Sequence, residues 1–565
     1  MSFMNRWTEE QIAFSRVKER MSALTLYGVR FQRERMPYLR GQEQHWLRDR
    51  ADLTLFSGVF SQLRDGERTF GQLVRSLLVS LPDIRTATQL LQKREPLSTE
   101  QCANLKRFAA IGLRIDRLLA GVHAQRPWWN AAVLVSVHAC LSDPRIKGGE
   151  DNLPATARAV AETVDRVYYD SFSLHAVADD TVRELYATLQ SVRARRASAE
   201  QRFAHAVSAD HRVSVRRDHT LIAAVDDAAA VERLSADPRL RLLQRTSFEI
   251  VLEPVWPEEV QRLRANEEIL AEQLAIGEET TLRLVSALLV PYADALVACI
   301  QGVGQLDDVC ARVAAACDEG WVWSRLNPDG AAVLTEVYQP ERKQDWTPCT
   351  MTIDRTVSVL TGPNMGGKTA ALKTLLLALA CHQYGYPVPA VAVSAPLFTA
   401  LCYVGGDAQS LVSGLSSFGA EIVALQEAIS LDGAFLCLDE IGRNTNPAEG
   451  AALVTALLET LLDAGKQMTV CATHFTVALP AQRVGYFRMQ GLKREFLNAD
   501  AGPVSASEGI DQLREAMDYT IVRVQDGASP RDGLAVAQWL GLREDVIERA
   551  KSRLDRQHNV PDSLS

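Results

Sequence analysis

The amino-acid sequence predicts a multidomain α and α/β protein. A helical first half comes first, then two long helices carrying a small strand-bearing tip, then a phosphate-loop α/β domain. Three observations predict this. Apolar residues recur at spacings of three and four through the first 205 residues and again over 257–300. A β-branched, alternating stretch separates these regions at about 206–255. From about 345 to 495, short apolar runs alternate with helical ones, as in a sheet covered on both faces.

A chain of 565 residues has room for three or four domains, each with its own core. Hydrophobic residues at 47% and charged ones at 23% are ordinary globular values. The net charge of −9 argues against indiscriminate coating of nucleic acid, while leaving room for a local basic patch. No apolar run is expected to span a membrane, and MSFMNRWTEEQ is too polar and acidic for a signal peptide. The ten cysteines are scattered without a C-x-x-C pair. They read as reduced core residues of a cytoplasmic protein, with no zinc site and no disulfide frame.

Residues 1 to about 125 read as helical, punctuated by Pro82 and Pro96. Pro127, Trp128 and Trp129 mark a junction, and 148–156 a loop. From about 157 to 205 a long helix is expected, with Val182, Leu185, Leu189 and Val192 on one stripe. A second runs from Pro257 to Ile300 in near-heptad register through Leu263, Leu270, Leu274, Gly277, Thr281, Leu284 and Leu288, with Gly277 and Thr281 as weak points. Two arrangements fit: a helical lever that goes out and returns, or a compact bundle. In and before the tip, residues 191–222 hold Arg193, Arg195, Arg196, Arg202, Arg212, Arg216 and Arg217 against Glu200, Asp210 and Asp218. Phosphate contact and a solvated helix face are the two readings of that cluster.

The chemistry is concentrated in TGPNMGGKT, residues 361–369, which fits G-x-x-x-x-G-K-[ST]. An apolar run, Val357 to Leu360, enters it, and a helical run from Ala370 to Cys381 leaves it. In the loop Gly362, Pro363, Asn364, Met365, Gly366 and Gly367, every residue but the proline would turn a backbone N–H toward a phosphate, ahead of Ala370 and the positive end of the helix. Lys368 would reach the β/γ oxygens, and Thr369 would place its hydroxyl on Mg²⁺. Downstream, Gly414-Leu415-Ser416-Ser417-Phe418 opens an amphipathic helix (Ile422, Leu425, Ile429) whose start can receive a γ-phosphate. The run 434–440 is a buried strand ending in Asp439, suited to Mg²⁺, and Glu440, suited to polarising water. The run 467–474 is another strand, with His474 at its exit. Three strand ends thus deliver polar groups to one edge of the sheet.

Together, 360–374, 386–390, 414–418, 438–453 and 471–475 resemble the MutS family of ABC-type ATPases. The likeness is strongest to the second bacterial branch, which usually carries a small nuclease domain. It extends to 250–268, which looks like that branch's return from clamp to lever, and to 533–550, similar to its C-terminal dimerisation segment. The resemblance implies four regions: a helical core (1–156), lever helices with a clamp tip (157–310), an ABC-type ATPase domain (311–510) and a dimerisation segment (511–565). It also implies a homodimer with composite ATP sites. Ser416 would cap the partner subunit's γ-phosphate, Glu440 would be the catalytic carboxylate and His474 a switch. Asn446 to Gly450 would lie on a loop that communicates across the dimer, and the base would stack near Tyr338-Gln339-Pro340. The family often has Gly where Asn444 stands and an acid where Asn446 stands.

No Phe-x-Glu wedge precedes the helical core, and the sequence ends fifteen residues past Ala550, so neither mismatch reading nor strand cleavage is expected. Two functions remain. One is an ATP-gated dimeric clamp on branched DNA or a ribosome, contacting it through Arg193, Arg195, Arg196, Arg212, Arg216 and Arg217. The other is an ATP-driven remodeller of a protein client, resembling the reactivating factors of cobalamin-dependent aminomutases such as lysine aminomutase. ATP and Mg²⁺ are the expected cofactors of both.

Overall fold

The computed structural model describes residues 3–64, 66–120, 131–142, 172–327, 330–342, 346–363, 366–405, 417–493 and 516–527, followed by 534, 537–538 and 542–558. Helices come first: α1 (Arg6–Gln11), α2 (Phe14–Glu19), α3 (Leu26–Arg33), α4 (Glu43–Phe60), α5 (Phe70–Val79), α6 (Arg85–Gln92), α7 (Thr99–Ala120), α8 (Ala131–Cys140), α9 (Leu174–Val177) and α10 (Asp180–His211). Next are β1 (Ser214–Val215), β2 (Leu221–Ala224), α11 (Ala228–Ala236), β3 (Leu240–Arg245), β4 (Glu249–Pro254), α12 (Glu258–Leu289) and α13 (Ala293–Glu319). The remainder holds β5 (Arg325–Leu326), β6 (Ala332–Val337), β7 (Cys349–Ile353), β8 (Val357–Thr361), α14 (Lys368–Gln383), β9 (Ala392–Ala395), β10 (Leu401–Val404), α15 (Ser417–Ile429), β11 (Phe435–Asp439), α16 (Pro447–Ala464), β12 (Met468–Ala472), β13 (Val484–Leu492), β14 (Met517–Val524) and α17 (Glu544–His558).

The chain divides into two compact units, Leu77–Val303 and a second made of Met1–Ser76 with Gly304–Ser565. In the first, α10 and α12 lie side by side and antiparallel. Val182, near the start of α10, meets Gly277, late in α12, and Val192 and Ala199 share a cluster with Val260 and Leu263. Gly277, a weak point by helix propensity, is what allows the close approach: a Cβ there would lie 2.7 Å from Val182 Cγ2. The helix limits differ from the sequence expectation. Asp179 caps α10 through a 2.9 Å bond from Val182 N–H, so the long helix begins at Asp180. Pro291 interrupts the second helix with a 3₁₀ turn at Val290–Tyr292, and α13 then runs on to Glu319. Between α10 and α12 sits an antiparallel sheet of order β1-β2-β4-β3 around Leu221, Leu234, Ile250 and Leu252.

In the second unit, a six-stranded sheet has the order β10-β11-β12-β8-β13-β14. All its pairs are parallel except β13 with β14. Every residue of β8 and β11 is buried, Ser358 and Thr361 of β8 and Asp439 of β11 among them, which explains why both strands are mostly apolar. Alternation divides β11 between two cores. Phe435 and Cys437 join the leucines of α14, while Leu436 and Leu438 join α15 and α16. The first core also takes Phe3, Met4, Ile12 and Phe14, so α1 and α2 pack with this sheet. Beside it lies a four-stranded sheet of order β5-β9-β6-β7.

By length and composition alone, the helical stretch Glu258–Glu319 is apolar enough to cross a membrane, which amends the expectation that no run qualifies. Its apolar residues Leu296, Val303, Leu306, Val309 and Val313 are buried in the protein itself. The same helix carries Arg312, buried and paired to Asp49 at 2.7 Å and to Asp308 at 2.9 Å. Arg35 pairs with the same two carboxylates at 3.0 and 2.8 Å.

His382 of α14 is enclosed, its Nδ1 2.9 Å from Ser324 Oγ and its ring 5.0 Å from that of Trp46. Burial pushes its pKa from 6.5 down to about 3, so the folded protein keeps it neutral while the unfolded chain protonates it below 6.5. The stability it contributes is therefore intact above pH 6.5 and lost as the pH falls toward 3. The slope is at most about 1.4 kcal/mol per pH unit. In urea unfolding between pH 6.5 and 4, His382→Gln should show a shallower loss of stability than the parent protein.

Candidate functional site

The strand β8 ends at Thr361, and the loop after it turns into α14 through Gly367, whose φ of 83° is the left-handed conformation that glycine adopts without strain. Lys368 is folded back over this loop. Its Nζ donates to Gly362 O at 2.9 Å and Pro363 O at 3.1 Å, and lies 3.4 Å from Glu440 Oε1. A buried ammonium resting on two carbonyls and one carboxylate can exchange them for phosphate oxygens.

Asp439 is the last residue of β11. Its Oδ2 accepts a 2.6 Å bond from Tyr403 Oη, and the Thr369 hydroxyl is near enough to favour the charged carboxylate. Burial pushes the carboxyl pKa up, against the two hydroxyls that hold it down. Its Oδ1 is buried with no partner. An unpaired carboxylate oxygen beside a phosphate-loop threonine is a donor set suited to Mg²⁺. Glu440 follows with φ 51°, a left-handed backbone rare for a non-glycine residue, and its N–H donates to Ala472 O at 2.9 Å. This bond aims its carboxylate between Lys368 and Arg443 Nη1, which lies 3.2 Å from Oε2. His474 stands two residues beyond β12, its ring centroid 4.2 Å from that of Phe475 and its Nδ1 buried without a partner. Burial pushes its pKa down, and the nearby Lys368 and Arg443 add to this while Glu440 opposes it.

A cavity of about 520 Å³ opens beside the loop, with Lys368, Thr369 and Glu440 in its wall. It is lined by Pro363 and the stretch from Gly366 to Ala370, by Gln11, Gln339 and Trp346, and by Lys373 and Glu440. That size is within the range of small-molecule and cofactor sites. The expected base position is split: Tyr338 packs on the hydrophobic core, while Gln339 faces the cavity and donates to Thr374 Oγ1 at 3.3 Å. Trp346 provides the aromatic wall, with its Nε1 buried and unpartnered. Sequence reasoning missed Trp346, Tyr403 and Gln11. A lone Trp just ahead of the strand that precedes β8 is the only local signal among the three.

Asn364, Met365 and Ser416 lie outside the described residues. The helix that Ser416 precedes is present as α15, and Glu421 on it accepts the Gly442 N–H at 2.7 Å, tying α15 to the turn after Glu440. Asn446 caps α16 through a 2.9 Å bond from Ala448 N–H.

In the other unit, the arginine cluster is partly neutralised. Arg193 pairs with Glu267 at 3.1 Å, Arg196 with Glu267 at 2.7 Å and Glu200 at 3.1 Å, and Arg216 with Glu249 at 3.2 Å. Arg195, Arg212 and Arg217 are exposed and form no ion pair among the described residues.

The left-handed turn at Glu440 generates a stability test. Both Glu440→Ala and Glu440→Gly remove the carboxylate, but only Ala keeps a Cβ at φ 51°. In urea unfolding, the Gly variant should exceed the Ala variant by about 1 kcal/mol.

Residues 358–557 match the family model MutS domain V. The chain is 30% identical over 267 residues to Endonuclease MutS2 of Carboxydothermus hydrogenoformans, covering 46% of this chain and 32% of that protein. It is 31% identical over 286 residues to Endonuclease MutS2 of Pelotomaculum thermopropionicum, covering 50% and 34%. With Endonuclease MutS2 of Solidesulfovibrio magneticus it shares 39% identity over 205 residues, covering 36% and 24%. The matches thus span a quarter to a third of the length of these relatives. The domain match, the relatives and the motifs now placed on one sheet edge support a member of the MutS family, in its MutS2 branch.

Proposed function

We propose that the protein is a Mg²⁺-dependent ATPase that acts as a homodimer and couples nucleotide turnover to engagement of nucleic acid. The observation that carries this reading is the convergence of Lys368, Thr369, Asp439 and Glu440 at one sheet edge. Bound between Thr369 and Asp439, Mg²⁺ would neutralise charge on the β- and γ-oxygens. Gly362 to Ala370, Pro363 excepted, offer the phosphates backbone N–H groups, and Lys368 adds a positive charge freed from the loop carbonyls. Glu440 orients and polarises the attacking water. His474, kept neutral by burial, supplies a hydrogen bond to the phosphate edge. Trp346 gives the base a surface to stack on. Ser416 from a partner subunit completes the site.

Domain V is the ATPase domain of MutS proteins, which supports the enzymatic part. The nucleic-acid part rests on the paired helices α10 and α12, read as a lever, on the sheet between them, read as a clamp tip, and on Arg195, Arg212 and Arg217. The relatives carry the name endonuclease; no residue of the present site is assigned to strand cleavage. The neutralisation of Arg193, Arg196 and Arg216 favours a second reading, a protein client such as an aminomutase.

Glu440→Gln should keep ATP affinity within about threefold and lose at least about 100-fold in turnover, whereas Lys368→Ala should lose binding itself. Equilibrium ATP binding and phosphate release check both; parental turnover in Glu440→Gln removes the assigned role. DNA or ribosomes should stimulate the parent ATPase, with a salt slope that falls by about one for each of Arg195, Arg212 and Arg217 replaced. Stimulation by a protein client alone supports the second reading.

A further inference from the structure

Helix α1 is remote in sequence from the nucleotide site, yet it is bonded to two of the residues around it. The buried Thr8 accepts the backbone N–H of Tyr403 on its Oγ1 at 3.1 Å. On the same strand, Leu401 N–H donates to Phe3 O at 2.9 Å. The segment that carries α1 therefore holds β10, an outer strand of the six-stranded sheet. Tyr403 then gives its hydroxyl to Asp439 Oδ2 at 2.6 Å, which leaves Oδ1 as the free oxygen of that carboxylate. At its other end, α1 presents Gln11, whose Oε1 accepts Lys373 Nζ at 2.7 Å. The same ammonium lies 5.3 Å over the Tyr403 ring. Gln11 and Lys373 both line the nucleotide cavity.

We propose that α1 is a positioning element for the divalent-metal nucleotide: through Tyr403 it fixes the orientation of Asp439, and through Gln11 it keeps Lys373 from competing for that carboxylate. The inference rests on the ATPase reading and names the residues that tune its metal step. A carboxylate anchored by one oxygen offers the other in a single direction, and loss of such outer partners typically weakens metal binding 10–100-fold. Lys373 is close enough to Asp439 to act on its charge, so releasing it from Gln11 sets an ammonium against the cation. Tyr403, Thr8 and Gln11 are positioning residues and touch no reacting atom.

The test is the ratio of ATP affinities measured with EDTA and with saturating Mg²⁺, using a fluorescent ATP analogue on the full chain. In the parent, Mg²⁺ should tighten binding. In Tyr403→Phe the ratio should shrink about tenfold with the EDTA affinity unchanged. Gln11→Ala and Thr8→Val should shrink it less, and Thr8→Ser should restore it. Equal losses in EDTA and Mg²⁺ would mean a merely structural role and overturn the inference. So would an unaltered ratio in all the variants. A parent protein that binds no nucleotide under either condition overturns the ATPase reading and this inference with it.

Discussion

A parallel sheet enclosed on both faces leaves few places for polar chemistry, and that constraint organises the phosphate-loop half of this molecule. The strands β8 and β11 bury every side chain, β11 being shared between two separate apolar cores. The carboxylates and the phosphate loop therefore stand where the strands stop, while the hydroxyls of Ser358 and Thr469 remain within them. Asp439 ends β11, Glu440 follows it, His474 follows β12, and the phosphate loop follows β8. The low polarity behind these groups strengthens every charge interaction among them, and it also makes each unpaired atom costly.

At the site several departures from ordinary folding rules stand together. Glu440 holds a left-handed backbone, and Asp439 Oδ1, His474 Nδ1 and Trp346 Nε1 are all buried without partners. Elsewhere in the same unit, buried charge is handled differently. Arg312 and Arg35 share Asp49 and Asp308 in a compact cluster at 2.7–3.0 Å. That cluster sets the positions of helices. The strained edge keeps atoms available for a ligand.

Much of this was legible in the sequence because the relevant signals are local. A phosphate loop carries its own strand and helix, and an unbroken apolar run ending in two carboxylates can be read without knowing its neighbours. Helix limits were legible only in part. Asp179 and Pro291 are both recognisable stop or start signals, yet the apolar periodicity running past them gave longer or shorter helices than form. Gly277 was misjudged because propensity describes an isolated helix, and its value appears only when Val182 is placed against it. The arginine cluster was overcounted for a similar reason: Glu267 and Glu249 lie 33 to 74 positions from their arginines in the sequence, and become their partners only after α12 and β4 return. Tyr403 and Gln11 left no trace in the sequence at all, since their meaning comes from contacts with residues far along the chain.

The burial of the first residues beside the six-stranded sheet bears on how the protein is divided for expression. Numbering invites a fragment that starts near residue 311 or 345. Such a fragment lacks Phe3, Met4, Ile12 and Phe14, so it would bare part of the core around α14 to water. It would also strip β10 of its bonds to Phe3 and Thr8 and leave an open strand edge. An insoluble or metal-insensitive product would then reflect where the gene was cut, and a bicistronic or linked arrangement supplying residues 1–76 in trans or in fusion is the sound way to isolate this half.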